Sequence, residues 1–157
     1  MRKILTILTL WMVSINILAQ KEQDFATKFM EMNGESYEGL TCNTVSPYMM
    51  ERIMKLDTLE DNNEIRRVLS HLKSIQIVEA KGDVIGDSLF NKATRLVEQN
   101  KRRYKLYAND DERLIYLRTR NKIIVEMVFI GKFDETFSIV NLTGNMDKSF
   151  LKELANM

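Results

Sequence analysis

The chain has 157 residues, with 23 Lys and Arg against 22 Asp and Glu, one histidine, one cysteine and one proline. A formal net charge of +1 supplies no field to steer the protein onto a polyanion, which argues against nucleic acid as a partner. A lone cysteine, Cys42, excludes an intramolecular disulfide, so the fold must be held by its core.

The chain opens with the features of an export signal. Arg2 and Lys3 are followed by an apolar stretch from Ile4 to Val13 that only Thr6 and Thr9 interrupt, and Ile15 to Ala19 ends on a small residue. Cleavage is expected after Ala19, with Gln20 as the mature N-terminus. A membrane anchor would need about 20 mostly apolar residues, whereas this stretch is shorter and carries Ser14 and Asn16. No cysteine lies near the cut to accept a lipid. Removing 19 of 157 residues leaves 138, the size of one domain, with 21 basic residues against 22 acidic. The expected organisation is a signal peptide over 1–19 and a single domain over 20–157, without linker, repeat or low-complexity tract.

Phe25, Phe29 and Met32 recur at helical spacing and predict a helix from about Gln23 to Met32, stopping before Asn33-Gly34. Leu40 to Val45 reads as a short strand. Ser46-Pro47 starts a second helix to about Leu56, the serine accepting from an orphan backbone N–H and the proline fitting the first turn. A third helix, opening at Asn62 or Asn63, places Ile65, Val68, Leu69 and Leu72 on one stripe and ends near Lys73. Ile75 to Ala80, rich in β-branched residues, predicts a strand buried on both faces. After a turn at Lys81-Gly82-Asp83, Asp87 or Ser88 is expected to cap a helix ending near Asn100, with Leu89, Phe90, Ala93, Leu96 and Val97 inward.

From Tyr104 the period changes to alternation, with strands near Tyr104–Ala108, Arg113–Thr119, Lys122–Ile130 and Thr136–Leu142. Their connections, Asn109-Asp110-Asp111, Arg120-Asn121 and a loop around Gly131, are short enough for an antiparallel meander. Asp147 caps a closing helix that turns Phe150, Leu151 and Leu154 inward. The expected fold is α+β: two N-terminal strands interleaved with helices, a four-stranded meander and a C-terminal helix, the helices mainly on one face of the sheet.

Several segments resemble a family of small exported envelope proteins catalogued as a domain of unknown function, DUF4252. They are Leu18-Ala19-Gln20, Thr44-Val45-Ser46-Pro47-Tyr48-Met49-Met50, the run from Val68 to Ile77, and Ile139 to Asp147 with the tail that follows. The resemblance covers nearly the whole mature chain. It implies export and an α+β fold, and its motifs are packing and turn patterns that bring no catalytic residue with them.

The chemistry-bearing residues are few. His71, beside Glu64 and Arg67, is expected on a solvated helix face, and Cys42 in the core; a nucleophile pair made of the two would need both to be exposed and adjacent. Met30 and Met32, and Met49, Met50 and Met54, offer soft thioethers of the kind that suit Cu(I). Their helical spacing, however, fits gap-filling core positions. Lys101, Arg102, Arg103 and Lys105 complement a helix C-terminus. Asp110-Asp111-Glu112 lacks the spaced ligands and glycine of a calcium loop, and Asn141-Leu142-Thr143 matches a glycosylation acceptor at the end of a strand.

The strand from Lys122 to Ile130 is apolar on both alternating faces. Ile123, Val125, Met127 and Phe129 form one, and Ile124, Val128 and Ile130 surround Glu126 on the other. Glu126 is expected to face away from the main helices, because an unpaired buried carboxylate is costly. That second face, with Leu114 and Tyr116 or Ile115 and Leu117 beside it, is too apolar for bare solvent. The functional expectation is therefore a non-enzymatic binding or interaction module of the bacterial envelope, periplasmic or envelope-bound, with no integral membrane span after cleavage. Its partner would be an unidentified envelope protein or a second copy. The alternatives are a carrier of a lipid or other small ligand, or an enzyme using acidic residues such as Glu126. No catalytic, cofactor-binding or metal residue is assigned, and no cofactor is expected.

Overall fold

A computed structural model describes residues 22–56, 63–110, 113–133 and 135–155. The export signal with its cut at Ala19, the Asn62 helix start, and Asp111 and Glu112 of the acidic turn lie outside the described residues.

Among the described residues, five helices and six strands follow in the order α1 (Phe25–Asn33), β1 (Thr41–Val45), α2 (Pro47–Ile53), α3 (Asn63–Ser70), β2 (Leu72–Lys81), α4 (Asp83–Gln99), β3 (Lys105–Asn109), β4 (Arg113–Arg120), β5 (Ile123–Phe133), β6 (Thr136–Met146) and α5 (Lys148–Ala155). The strands form one sheet in the order β1-β2-β6-β5-β4-β3, with each neighbouring pair antiparallel. The meander β3 to β6 is as expected, and the β1-β2 pair adds to it through β6.

This order obliges α4 to carry the chain from β2 to the far edge at β3, four strand spacings or about 19 Å. Its 17 residues span about 25 Å, enough to cross the sheet. One apolar side of the helix, Leu89, Ala93, Leu96 and Val97, is buried as it crosses.

The helices divide between both faces instead of lying mainly on one. On the first face α1 and α4 cover Val78 and Ala80 of β2, Phe137 and Ile139 of β6, Val128 and Ile130 of β5 and Tyr116 of β4. Phe29 meets Phe137 at 5.7 Å between ring centroids, and Phe25 meets Tyr104 edge-on at 5.8 Å. On the second face α2, α3 and α5 bring Met50, Val68 and Phe150 onto Leu72, Met127, Leu142 and Met146. A sheet apolar on both sides needs two covers, and three short helices provide the second.

A β-bulge between Ile124 and Glu126 redistributes β5. Strict alternation would put Ile124 beside Glu126, whereas the extra residue turns Ile124 toward Met127 and Phe129 on the second face. Ile124 is only 6 % exposed. Ile124→Lys is therefore expected to abolish the cooperative thermal transition or cost about 3 kcal/mol or more, since an ammonium would be buried without a partner. A variant melting within a few degrees of the parent would restore the open-surface reading of this position.

The helix starts at Ser46 and Asp147 stand as expected. Ser46 Oγ accepts from the Met49 amide at 3.3 Å with Pro47 in the first turn, and Asp147 Oδ1 accepts from the Ser149 and Phe150 amides at 2.8 and 3.0 Å. Hydrogen bonds from the Ser149 hydroxyl and these amides hold the Asp147 carboxyl below its ordinary range.

Other boundaries differ. The second helix ends at Ile53. The third stops at Ser70, where the Ser70 hydroxyl donates to the Arg67 carbonyl and the His71 carbonyl is taken by the Asn145 amide at 2.9 Å. Pairing with β6 thus displaces another helical turn, and Leu72 and Lys73 belong to β2. The fourth helix starts at Asp83, before Asp87 and Ser88. Gly82, at φ +109°, makes the turn that only glycine enters freely and accepts the first helical bond from Gly86. Asp87 instead pairs with Lys132, and Ser88 with the Tyr37 hydroxyl. Gly131 lies within β5, paired with Arg113 and Ser138. The β4-β5 hairpin closes through Asn121 and Lys122, both at positive φ, the geometry of a two-residue primed turn.

Candidate functional site

Glu126 is not on an outer face. It is fully buried beneath the start of α1, where three donors reach it: the Phe25 amide at 2.6 Å, Arg118 Nε at 2.6 Å and the Tyr104 hydroxyl at 3.0 Å. The next amide of α1, from Ala26, donates to Asn141 Oδ1 at 2.7 Å, and the third, from Thr27, to Asp24 Oδ1 at 2.8 Å. Three orphan amides at a helix N-terminus thus find oxygens from β5, β6 and the preceding residue, and a carboxylate there also meets the positive end of the helix dipole. Burial, reinforced by the Glu126 charge, pushes the Tyr104 hydroxyl well above its usual range and keeps it a donor. Burial works against the Arg118 charge, but Glu126 beside it outweighs that and raises its pKa. The arrangement satisfies the carboxylate on all sides, which is the chemistry of a structural anchor.

Arg118 then reaches outward. Its Nη1 donates to Glu22 Oε2 at 2.6 Å, and Arg120 Nη2 reaches the same oxygen at 2.7 Å. The segment leading into α1 is thereby pinned to the end of β4.

The remaining sequence candidates are scattered. Cys42 is half-buried on edge strand β1, not in the core, with Sγ 3.8 Å from Thr44 Oγ1. It pairs with Val78, about 20 Å along β2 from the end where His71 lies. His71 is half-buried in the turn after α3, set edge-on to Phe150 at 5.7 Å with Nδ1 3.2 Å from the Asn145 carbonyl, so it is not on a solvated helix face. Met30 packs on the α1-α4 side and Met50 on the opposite side of the sheet, while Met32 and Met49 are exposed. The thioethers do not converge. Arg103 of the basic run stacks over the Tyr104 ring at 5.7 Å, and Asn141 of the glycosylation motif is fully buried mid-strand. Among the described residues no group of three His, Cys, Asp or Glu is placed to hold a metal ion.

Two cavities border the sheet, and Arg118 of the Glu126 anchor reaches into the second. The first, about 480 Å³, opens between the second face of the sheet and helices α3 and α5. Its wall is Val68, Leu69, Leu72, Ile75, Phe129, Val140, Leu142, Phe150 and Leu154, with Arg113 and Ser138 as its polar members. Arg113 is paired with Asp110 at 3.0 Å, both groups more than half exposed. The second, about 590 Å³, is polar and lies at the end of β4, β5 and β6. Neither was legible in the residue pattern. The stripe Val68, Leu69 and Leu72 predicted a packed helix face, whereas all three residues line the cavity, the first two from α3 and Leu72 from β2.

Among the described residues no helix is long and apolar enough to cross a membrane. The fold is that of an α+β domain with one antiparallel sheet covered on both faces. The chain belongs to the family described as Domain of unknown function (DUF4252), whose profile matches residues 35–154, about three quarters of the sequence. No curated protein and no solved structure matches the chain.

Proposed function

We propose that the chain is a non-enzymatic binding module, exported to the bacterial envelope by the segment ending at Ala19, and that it binds an apolar ligand in the cavity between the sheet and helices α3 and α5. The carrying observation is the cavity itself. Its volume of about 480 Å³ falls in the range of about 300–1,000 Å³ that small-molecule sites occupy, and aliphatic and aromatic side chains from five elements line it. Arg113 at its edge suits an acidic head group, because an exposed pair such as Arg113 with Asp110 contributes little and exchanges partners readily. A fatty acid or similar single-chain amphiphile fits both features. The enclosure of Glu126 by structural donors supports binding over catalysis.

Titration with a pyrene-labelled fatty acid is expected to show one saturable site. Val140→Trp, which fills the cavity from a half-buried position, should weaken it tenfold or more, about 1.4 kcal/mol, with the melting temperature kept. Mass spectrometry of protein from its native envelope should give Gln20 as the first residue and a co-purifying acyl species. Non-saturable uptake that Val140→Trp leaves unchanged removes the ligand site, and a retained Met1 removes the cleavable signal.

A further inference from the structure

The polar cleft at the other end of β4 carries a second binding chemistry. Lys73, Arg118 and Arg120 line it, together with Asn121 and Thr143. The only carboxylate among the lining residues is Glu22, and one of its oxygens bridges two guanidinium groups, Arg118 at 2.6 Å and Arg120 at 2.7 Å. A single oxygen held by two arginines in a cleft of about 590 Å³ occupies the position of a bound oxyanion.

We propose that this cleft is a phosphate-group site for which Glu22 serves as a built-in competitor. Arg118 is fixed from below by Glu126 and only 13 % exposed, so it presents a preorganised donor. Glu22 and Arg120 are 45 % and 65 % exposed, so their pairing is open to exchange. A carboxylate brings two oxygens and one charge. A phosphate group brings three acceptor oxygens and up to two charges, enough to hold both arginines more strongly than a carboxylate can. The site shares no lining residue with the apolar cavity and stands independently of it.

The test is calorimetric titration of the full chain with inorganic phosphate at low salt, beside Glu22→Gln and Arg120→Gln. The expected result is one site in the parent, at least tenfold tighter binding in Glu22→Gln, and loss of binding in Arg120→Gln, whose exposed side chain is not needed for folding. Equal or weaker affinity in Glu22→Gln, binding unaffected by Arg120→Gln, or no saturable phosphate binding in any of the three overturns the proposal. Co-sedimentation with phosphatidylglycerol vesicles, against phosphatidylcholine alone, distinguishes the source. Retention that rises in Glu22→Gln assigns a lipid head group, and phosphate binding without retention assigns a soluble phosphate.

Discussion

Glu126→Ala is expected to lower stability by about 3–5 kcal/mol, because it strands three buried partners at once. The Phe25 amide loses its acceptor at the start of α1, the Tyr104 hydroxyl loses its own, and Arg118 Nε loses its carboxylate while Nη1 keeps Glu22. For a domain of this size the loss corresponds to a fall in melting temperature of roughly 10 °C or more. Glu126→Gln should sit between the two, since its amide oxygen still serves the Phe25 amide while its NH₂ opposes the two other donors. Replacing the pair together, Glu126→Leu with Arg118→Met, should cost less than the sum of the single changes, because neither charge is then left alone. Urea titration of Glu126→Ala, Glu126→Gln, Glu126→Leu, Arg118→Met and the double variant reads this directly. A loss under about 1 kcal/mol for Glu126→Ala would show that water replaces the carboxylate and that the anchor is not sealed.

Gly144→Ala should be nearly as damaging for a different reason. Gly144 is paired with Leu72 where β2 enters the sheet, and a Cβ there would run into the backbone carbonyl of His71, with the Leu72 Cα at 3.0 Å beyond it. The obstacle is main chain and cannot rotate away. Relief would require opening the Asn145 to His71 bond of 2.9 Å that ends α3 and starts β2. The expected cost is about 3 kcal/mol, with a change in near-ultraviolet circular dichroism as Phe150 shifts against His71. Gly86→Ala is the control, since a Cβ there meets only the Lys132 and Phe137 side chains at ordinary contact distance and a helix interior favours alanine. Equal stability of the two variants would mean that the β2-β6 junction is looser than its close approach indicates.

The meander from Tyr104 to Leu142 could be read because β4, β5 and β6 alternate and the connections are short, although β3 is exposed throughout and β5 and β6 run further than alternation indicated. Ser46 and Asp147 could be read because a cap acts within three residues of itself. Leu72 could not, since it satisfies both the helical stripe of Val68 and Leu69 and the alternation of β2, and the choice is made by a carbonyl that Asn145 claims. Ile124 was misplaced because a bulge inserts one residue where strict alternation was assumed. Glu126 was placed on the wrong face by sound reasoning about an unpaired carboxylate, whose partners are amides, a hydroxyl and a guanidinium far away in sequence. The two cavities depend on how packed elements leave space, and no local pattern encodes that.

Besides Asp24, the oxygens that take the first amides of α1 lie 101 residues downstream at Glu126 and 115 downstream at Asn141. A nine-residue helix is too short to persist alone in water, so the first of the described helices is the one whose holding partners are completed almost last. Two of its capping oxygens are absent until β5 and β6 exist, and closing so long a loop slows assembly. Order of synthesis and order of assembly are thereby opposed for this helix.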